Sequence, residues 1–225
     1  MYHPAIDDEV TTIRRSIEDQ LAAIRAAAFG LSDEQVRARP VTSALSVGGI
    51  IKHCVFVLES RLAGMGRTAA AQSGATSLES RLAGMGRTAA AQSGATSLES
   101  RLAGMGLRDC DYEDFYASFA LTEDESFSEV LAGYDQAVAR YLQSYDTWDP
   151  TATLTLPPAP WFGRTEPAEA TLRYQMLQDL VEFARHAGHA DIIREQIDAA
   201  KALELLAAVE GLPANDFVTP WKLPD

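Results

Sequence analysis

The sequence predicts an all-α protein, a four-helix bundle, and three observations support this fold class. Four long segments place apolar residues at the three- and four-residue spacing of one face of an α-helix. No segment shows a convincing run of alternating polar and apolar residues, the pattern of half-buried strands. A chain of 225 residues, 47% of them hydrophobic, is long enough for one sizeable core. We therefore expect a single domain over residues 1–225.

Periodicity and end signals predict the elements in order. Long helices are predicted at about 7–29, from near 46, at about 125–145 and at about 171–199, with a shorter one at 202–209. Gly30 ends the first helix, and Ser32 and Gln35 are placed as a capping box for a short helical turn. Thr122 is the predicted cap of the third long helix. Residues 146–169, rich in Pro, Thr and Trp, are predicted to form a long crossing loop.

A perfect internal repeat interrupts this plan. Residues 58–77 recur identically at 78–97, and a partial third copy covers 98–106. Identity at every position indicates a recent or engineered in-frame duplication, because solenoid repeats normally vary outside their buried positions. A shift of 20 residues turns a continuous helix by about 200°, so successive copies cannot present one face to the same core. We interpret 58–106 as a weakly packed insertion after the second helix, without a role in chemistry; a duplicated interaction arm is the alternative.

Composition excludes several classes of protein. A formal net charge of −13 argues against a nucleic-acid groove or an anionic membrane surface as partner, since both attract clustered Lys and Arg. No run approaches the roughly 18 apolar residues of a membrane span, and the acidic N-terminus lacks the features of a signal peptide. Two cysteines, Cys54 and Cys110, are too few for a disulfide scaffold. We expect a cytoplasmic protein.

The segment 182–189 is the most informative of the chain. On a helix, Glu182, His186 and His189 fall within roughly 60° of one another. Ile193 and Ile197 continue that sector, which predicts a buried face. The opposite, solvent-facing sector is predicted to carry Asp191, Arg194, Glu195 and Asp198. An ionised carboxylate on a buried face is costly unless a cation or strong donors meet it, so the segment indicates either a metal site or a buried His–Glu pair.

His53 is the candidate ligand from another helix. Ile50 and Val57 lie within about 60° of it on the second long helix, so its side chain is predicted to point towards the core. A lone histidine on an apolar face is more often a hydrogen-bonded core residue than a ligand, but here further imidazoles and a carboxylate also point inwards. Nitrogen and oxygen ligands without thiolate suit Zn, Ni, Fe or Mn, with Zn the default. Three protein ligands would leave positions open for water or substrate.

Two segments carry a resemblance to a known family. The first is LSVGGIIKH at 45–53 with VLE at 57–59, and the second is LRY at 172–174 leading into EFARHAGHAD at 182–191. These segments resemble the DinB-like superfamily of bacterial four-helix metal-binding proteins. That superfamily includes thiol-dependent S-transferases and mycothiol-dependent maleylpyruvate isomerases. The resemblance covers most of the chain outside the repeat and implies an up-down-down-up bundle.

The resemblance also implies roles for individual residues. In such proteins one His comes from the second helix, and the last bundle helix gives a His, or a Glu, four residues before a final His. Carried over by position, the ligands are His53, Glu182 and His186, and the Glu variant is similar to the maleylpyruvate isomerase branch. His189 would then lie beside the ligands or act as a general base in catalysis. Gln178, one turn before Glu182, would line the pocket as a cofactor-binding residue.

The implied activity is transfer of, or catalysis by, a small thiol acting on an electrophilic organic compound. A divalent metal with open positions can bind a thiol such as mycothiol and stabilise its thiolate, which is the nucleophile. The partners would be the thiol and the electrophile, and the enzyme an S-transferase or an isomerase; a homodimer is compatible with the sequence. The main alternative is a non-catalytic metal-binding stress-response protein, and a metal-free helical scaffold is the third interpretation.

Overall fold

The computed structural model describes residues 4–72, 114–159 and 162–223, with the backbone alone for 65–72. Over these ranges the chain is mostly helical, as predicted. The helices are α1 (Glu9–Ala27), α2 (Asp33–Arg37), α3 (Val47–Gln72), α4 (Phe127–Ser144), α5 (Leu172–Asp198) and α6 (Ala202–Val209). A 3₁₀ turn, Tyr145–Thr147, follows α4. In the parts of the chain described, no helix is both long and apolar enough to cross a membrane.

Side-chain caps account for several of the helix ends. The predicted capping box of α2 is confirmed: the Ser32 hydroxyl accepts from the Gln35 N–H, and the Gln35 side chain accepts from the Ser32 N–H. The prediction that Thr122 caps the third long helix was wrong, since Ser126 is the N-cap of α4. The Thr122 N–H still pairs with Glu125, donating to its Oε2 at 2.7 Å. The helix nevertheless begins later, at Phe127, because the pairing closes a separate turn ahead of it.

The long helices share one core. α1 packs along α5, α3 packs along α4, and α3 also contacts α5 and α1. Fully buried apolar side chains from all four meet at the centre: Ile17, Leu21, Ile24, Ile50, Ile51, Leu58, Tyr134, Met176, Phe183 and Ile193. Burying one large apolar side chain contributes about 1.5–3 kcal/mol, so this cluster holds α3 and α5 side by side. That packing positions the candidate site.

A small antiparallel sheet occupies part of the predicted loop. β1 (Thr153–Leu156) pairs with β2 (Ala168–Thr171), and Thr153 lies opposite Thr171. The expectation of a long crossing loop, in a chain without strands, was therefore wrong at these positions. Four-residue strands are too short for alternation to stand out in the sequence. Thr171 ends β2 and also caps α5, its hydroxyl accepting from the Tyr174 N–H, so the sheet fixes where α5 begins.

The start of the first copy of the repeat, residues 58–64, packs against the bundle, so the interpretation of 58–106 as weakly packed was wrong for these residues. Residues 58–72 continue α3 without a break. Leu58 is fully buried, and Arg61 Nε donates to the buried carboxylate of Asp179 at 2.8 Å. The rotation of about 200° between copies means that successive copies cannot face the same core. It does not prevent the first copy from packing as a continuation of the helix that it extends. The rest of the repeat, 73–106, lies outside the described residues.

Arg194 is fully buried, so its predicted place on the solvent face was wrong. Its Nη1 donates to the carbonyl oxygens of Ala27 at 2.9 Å and Phe29 at 2.7 Å. Two further hydrogen bonds of 2.9 Å join it to Asp198, and its guanidinium lies 4.7 Å from the ring centroid of Trp221. The last carbonyl groups of a helix lack partners within the helix. Arg194 supplies donors to the end of α1, a role that the periodicity of α5 alone does not reveal.

Candidate metal centre

The three predicted ligands come together between α3 and α5. His53, Glu182 and His186 can each offer one donor atom such that all three atoms lie within 4.8 Å of one another. Glu182 Oε1 is 3.2 Å from His186 Nε2 and 3.5 Å from His53 Nε2. Two ligands of a tetrahedral zinc ion, each about 2.0–2.1 Å from the metal, are about 3.3 Å apart. The two separations from Glu182 Oε1 therefore fit coordination of one shared ion.

His53 is fully buried and its ring is held from several sides. Its Nδ1 lies 2.8 Å from Ser118 Oγ, and the Ser118 hydroxyl donates to the carbonyl oxygen of Phe115 at 2.5 Å. Phe119 stacks on the imidazole with 3.9 Å between ring centroids, and Phe115 meets it edge-on at 5.5 Å. A hydroxyl group has a single proton. Since that proton goes to Phe115, Ser118 accepts a hydrogen bond from the Nδ1–H of His53.

This arrangement leaves a lone pair on His53 Nε2 facing a carboxylate. Burial lowers the pKa of His53, so the imidazole favours its neutral form. The hydrogen bond with His186 holds the pKa of Glu182 well below its usual range, so the carboxylate is ionised at neutral pH. In that tautomer, His53 Nε2 and Glu182 Oε1, 3.5 Å apart, can both direct lone pairs at one cation. The donor set therefore fits a divalent metal ion.

His186 completes the set with one nitrogen unsatisfied. The residue is buried, and its Nδ1 has no hydrogen-bond partner among the residues described. Its ring centroid lies 4.9 Å from that of His53 and 6.3 Å from that of Phe119. The contact with Glu182 and these ring contacts therefore hold the imidazole in place.

Glu182 marks the open side of the site. Its side chain is 40% exposed, whereas the side chain of His186 is 11% exposed and that of His53 is 0% exposed. The site is closed on the α3 side by His53 and its aromatic neighbours. A ligand approaching from solvent would therefore reach it past Glu182 on α5.

Gln178 and His189 both lie on the exposed side of α5. The ring of His189 is 6.1 Å from that of His186, so it borders the site without joining the three donor atoms. The prediction that His189 belongs to the buried face was wrong. The buried face of α5 runs instead through Asp179, Phe183, His186, Ala187, Ala190 and Ile193. Its centre is displaced from the sector that the sequence indicated, which leaves Glu182 and His189 at its edge.

A buried carboxylate beside the site escaped the sequence analysis. Asp179, fully buried on α5, accepts hydrogen bonds from Arg61 Nε at 2.8 Å, Gln175 Nε2 at 2.7 Å and Tyr141 OH at 2.7 Å. Burial raises the pKa of Asp179, and the three donors oppose that shift. The group ties α3, α4 and α5 together next to the candidate ligands. Gln175 and Asp179, four residues apart on α5, are the sequence signal that could have revealed it.

Ser118 also escaped the sequence analysis, since nothing between the repeat and α4 predicts that this turn returns to His53. Gly49 is the nearest sequence signal. A Cβ atom there would lie 2.2 Å from the carbonyl oxygen of Phe119, so only glycine lets the turn approach α3 this closely.

Comparison with known proteins identifies the family of the chain. A family model described as mycothiol-S-transferase matches residues 12–97 and 95–199. No curated protein and no solved structure matches the chain. The two matched segments cover most of the chain, contain His53, Glu182 and His186, and meet within the repeat. The chain therefore belongs to the mycothiol-S-transferase family, within the DinB-like superfamily, as its two motif segments indicated.

Proposed function

We propose that the protein is a metal-dependent S-transferase that joins mycothiol, or a similar small thiol, to an electrophilic organic compound. The observation that carries this proposal is the convergence of His53, Glu182 and His186 within 4.8 Å, open to solvent on the Glu182 side. Membership of the mycothiol-S-transferase family supports the choice of thiol. Two imidazoles and a carboxylate favour zinc, and nickel, iron and manganese are the alternatives.

The metal and the protein have separate tasks in this proposal. A divalent metal would lower the pKa of a coordinated thiol and so supply the nucleophilic thiolate at neutral pH. His53, Glu182 and His186 would hold the ion, and the partly buried rings of Phe115 and Phe119 beside His53 shield that side from water. His189, exposed beside His186, moves a proton between the reactants and solvent. Gln178, on the same exposed side, contacts the thiol.

The proposal extends to the architecture. The packing of α1 with α5 and of α3 with α4 and α5 supports an up-down-down-up four-helix bundle in a single domain. A cytoplasmic location stays a prediction, which cell fractionation tests. A homodimer likewise stays a prediction, and the molar mass in solution measured by light scattering tests it.

Thiol consumption tests the activity. Zinc-loaded protein is incubated with an activated alkyl electrophile and with mycothiol, bacillithiol, glutathione or coenzyme A, and the loss of free thiol is followed. We expect metal-dependent loss of mycothiol that falls to the uncatalysed rate in the His53→Ala variant. If the wild-type protein binds metal but is no faster than His53→Ala with every thiol and with a panel of acceptors, the non-catalytic metal-binding alternative replaces this proposal.

A further inference from the structure

We propose that Ser118 is a positioning residue that selects the tautomer of His53 able to bind the metal. The inference rests on the metal site of the proposed function. Ser118 is 3% exposed, and its Oγ lies 2.8 Å from His53 Nδ1 and 2.5 Å from the carbonyl oxygen of Phe115. It is the hydrogen-bond partner of His53 on the side away from Glu182.

The direction of these hydrogen bonds decides which nitrogen carries the proton. A carbonyl oxygen can only accept, so the Ser118 hydroxyl donates to Phe115 and accepts from Nδ1–H of His53. The lone pair of the neutral imidazole is then on Nε2, the nitrogen that faces Glu182. With the proton on Nε2 instead, no lone pair would face the other two donors. Ser118 therefore holds the imidazole in the form that can coordinate.

The turn that carries Ser118 is itself fixed to α3, the helix of His53. The Ser118 N–H donates to the carbonyl oxygen of Asp114 at 3.0 Å, which closes a helical turn. Lys52 Nζ donates to the carbonyl oxygen of Ala120 at 3.0 Å. Gly49, one turn before His53, provides the room for Phe119 to lie against the helix. Contacts with α3 therefore position both the Ser118 hydroxyl and the His53 imidazole, and these contacts fix the distance between the two groups.

Ser144 offers a matched control for a Ser118 variant. Each hydroxyl donates to the carbonyl oxygen three residues earlier, Ser144 to Tyr141 at 2.6 Å and Ser118 to Phe115. The two differ in that Ser118 also contacts the imidazole of a candidate ligand. Removing either hydroxyl therefore costs a similar local hydrogen bond, and a loss specific to Ser118→Ala reports on His53.

The first measurement is zinc affinity, obtained by competition with a chromophoric chelator. We expect Ser118→Ala to bind zinc about 10–100-fold more weakly than wild type, the usual effect of losing the partner of a ligating imidazole. Ser144→Ala should keep the wild-type affinity. A folded Ser118→Ala protein with unchanged zinc affinity overturns the proposal. A wild-type protein without zinc affinity is a different failure, that of the metal site in the proposed function.

The second measurement needs neither metal nor activity. Nitrogen-15 NMR of the metal-free wild-type protein reports which ring nitrogen of His53 carries the proton, with His53→Gln used to assign the signal. We expect the proton on Nδ1 in wild type and a shift towards the other tautomer in Ser118→Ala. A proton on Nε2 in the wild-type protein overturns the proposal, even if Ser118→Ala fails to fold.

Discussion

Arg61 reaches from α3 to α5 and donates its Nε–H to Asp179 over 2.8 Å. Arg61 belongs to the first copy of the repeat, and Asp179 lies three residues before the candidate ligand Glu182. Asp179 is fully buried and the Arg61 side chain is 33% exposed. The first copy of the repeat therefore contributes directly to the surroundings of the site, whereas the sequence predicted a weakly packed insertion.

Replacing Arg61 by Ala should lower the free energy of unfolding by about 2–3 kcal/mol, because it removes the cation that accompanies a buried carboxylate. The partial exposure of Arg61 keeps the effect below that of a fully buried pair. Urea denaturation followed by circular dichroism measures it. Arg140→Ala breaks an exposed pair with Glu59 and should cost less than about 1 kcal/mol. Equal effects of the two variants would show that the Arg61 contact contributes nothing particular.

Deleting residues 58–97 should preserve both the helical signal and metal binding. The deletion joins Val57 to Leu98, so Leu98 and Arg101 take the places of Leu58 and Arg61 in the sequence. Circular dichroism and the melting temperature measure the outcome. Adding Arg101→Ala to the deletion should then destabilise it as Arg61→Ala destabilises the full chain. A deletion protein that loses its helical signal would show that the later copies belong to the core.

Purified protein without a His-tag should hold about one divalent ion per chain, as measured by elemental analysis. His186→Ala should abolish binding, because it removes one of the three converging donors. His3→Ala is the control, since His3 lies in the sequence outside the motif segments and outside the described residues. A metal-free preparation that takes up no zinc, nickel or manganese on titration would remove the basis of the metal site.

Asp191→Asn should stabilise the protein at neutral pH. Burial raises the pKa of Asp191 to about 6, and the nearby Glu195 adds to the shift. A carboxyl whose pKa is higher in the folded than in the unfolded chain destabilises the fold as pH rises from about 4 to 6. We expect a gain of about 1 kcal/mol at pH 7, reduced by partial solvent exposure, and none below about pH 4. Denaturation at both pH values measures this; a gain that persists at pH 4 would contradict the electrostatic explanation.

The helices were predictable because their signals are local. Apolar spacing and the Ser32–Gln35 box both act within one or two helical turns. The predictions that failed concern residues whose partners come from distant segments of the chain. Arg194 is buried because the carbonyl oxygens of α1 bind it, and no periodicity on α5 contains that information. The same reason explains why Asp179 escaped notice.

The predictions for the candidate site succeeded and failed for the same reasons. The proximity of His53, Glu182 and His186 followed from the motif segments and the resemblance that they carry. The orientation of α5 about its own axis did not, and it places His189 at the exposed edge of the site. When only a few isoleucines define the buried face of a helix, the direction predicted for that face can be wrong by tens of degrees. The reason is that a half-polar helix has no sharp boundary between its buried and exposed faces.

His53 and Glu182 are 129 residues apart in the chain, so the donor set exists only while α3 and α5 are packed together. An ion that binds the folded chain alone shifts the folding equilibrium by mass action, by about 2.7 kcal/mol at a free concentration 100 times Kd. For a protein of ordinary marginal stability, that shift is a large fraction of the total free energy of unfolding. Metal supply would then govern the amount of folded protein, since chains without the ion unfold more often and are exposed to proteolysis while unfolded.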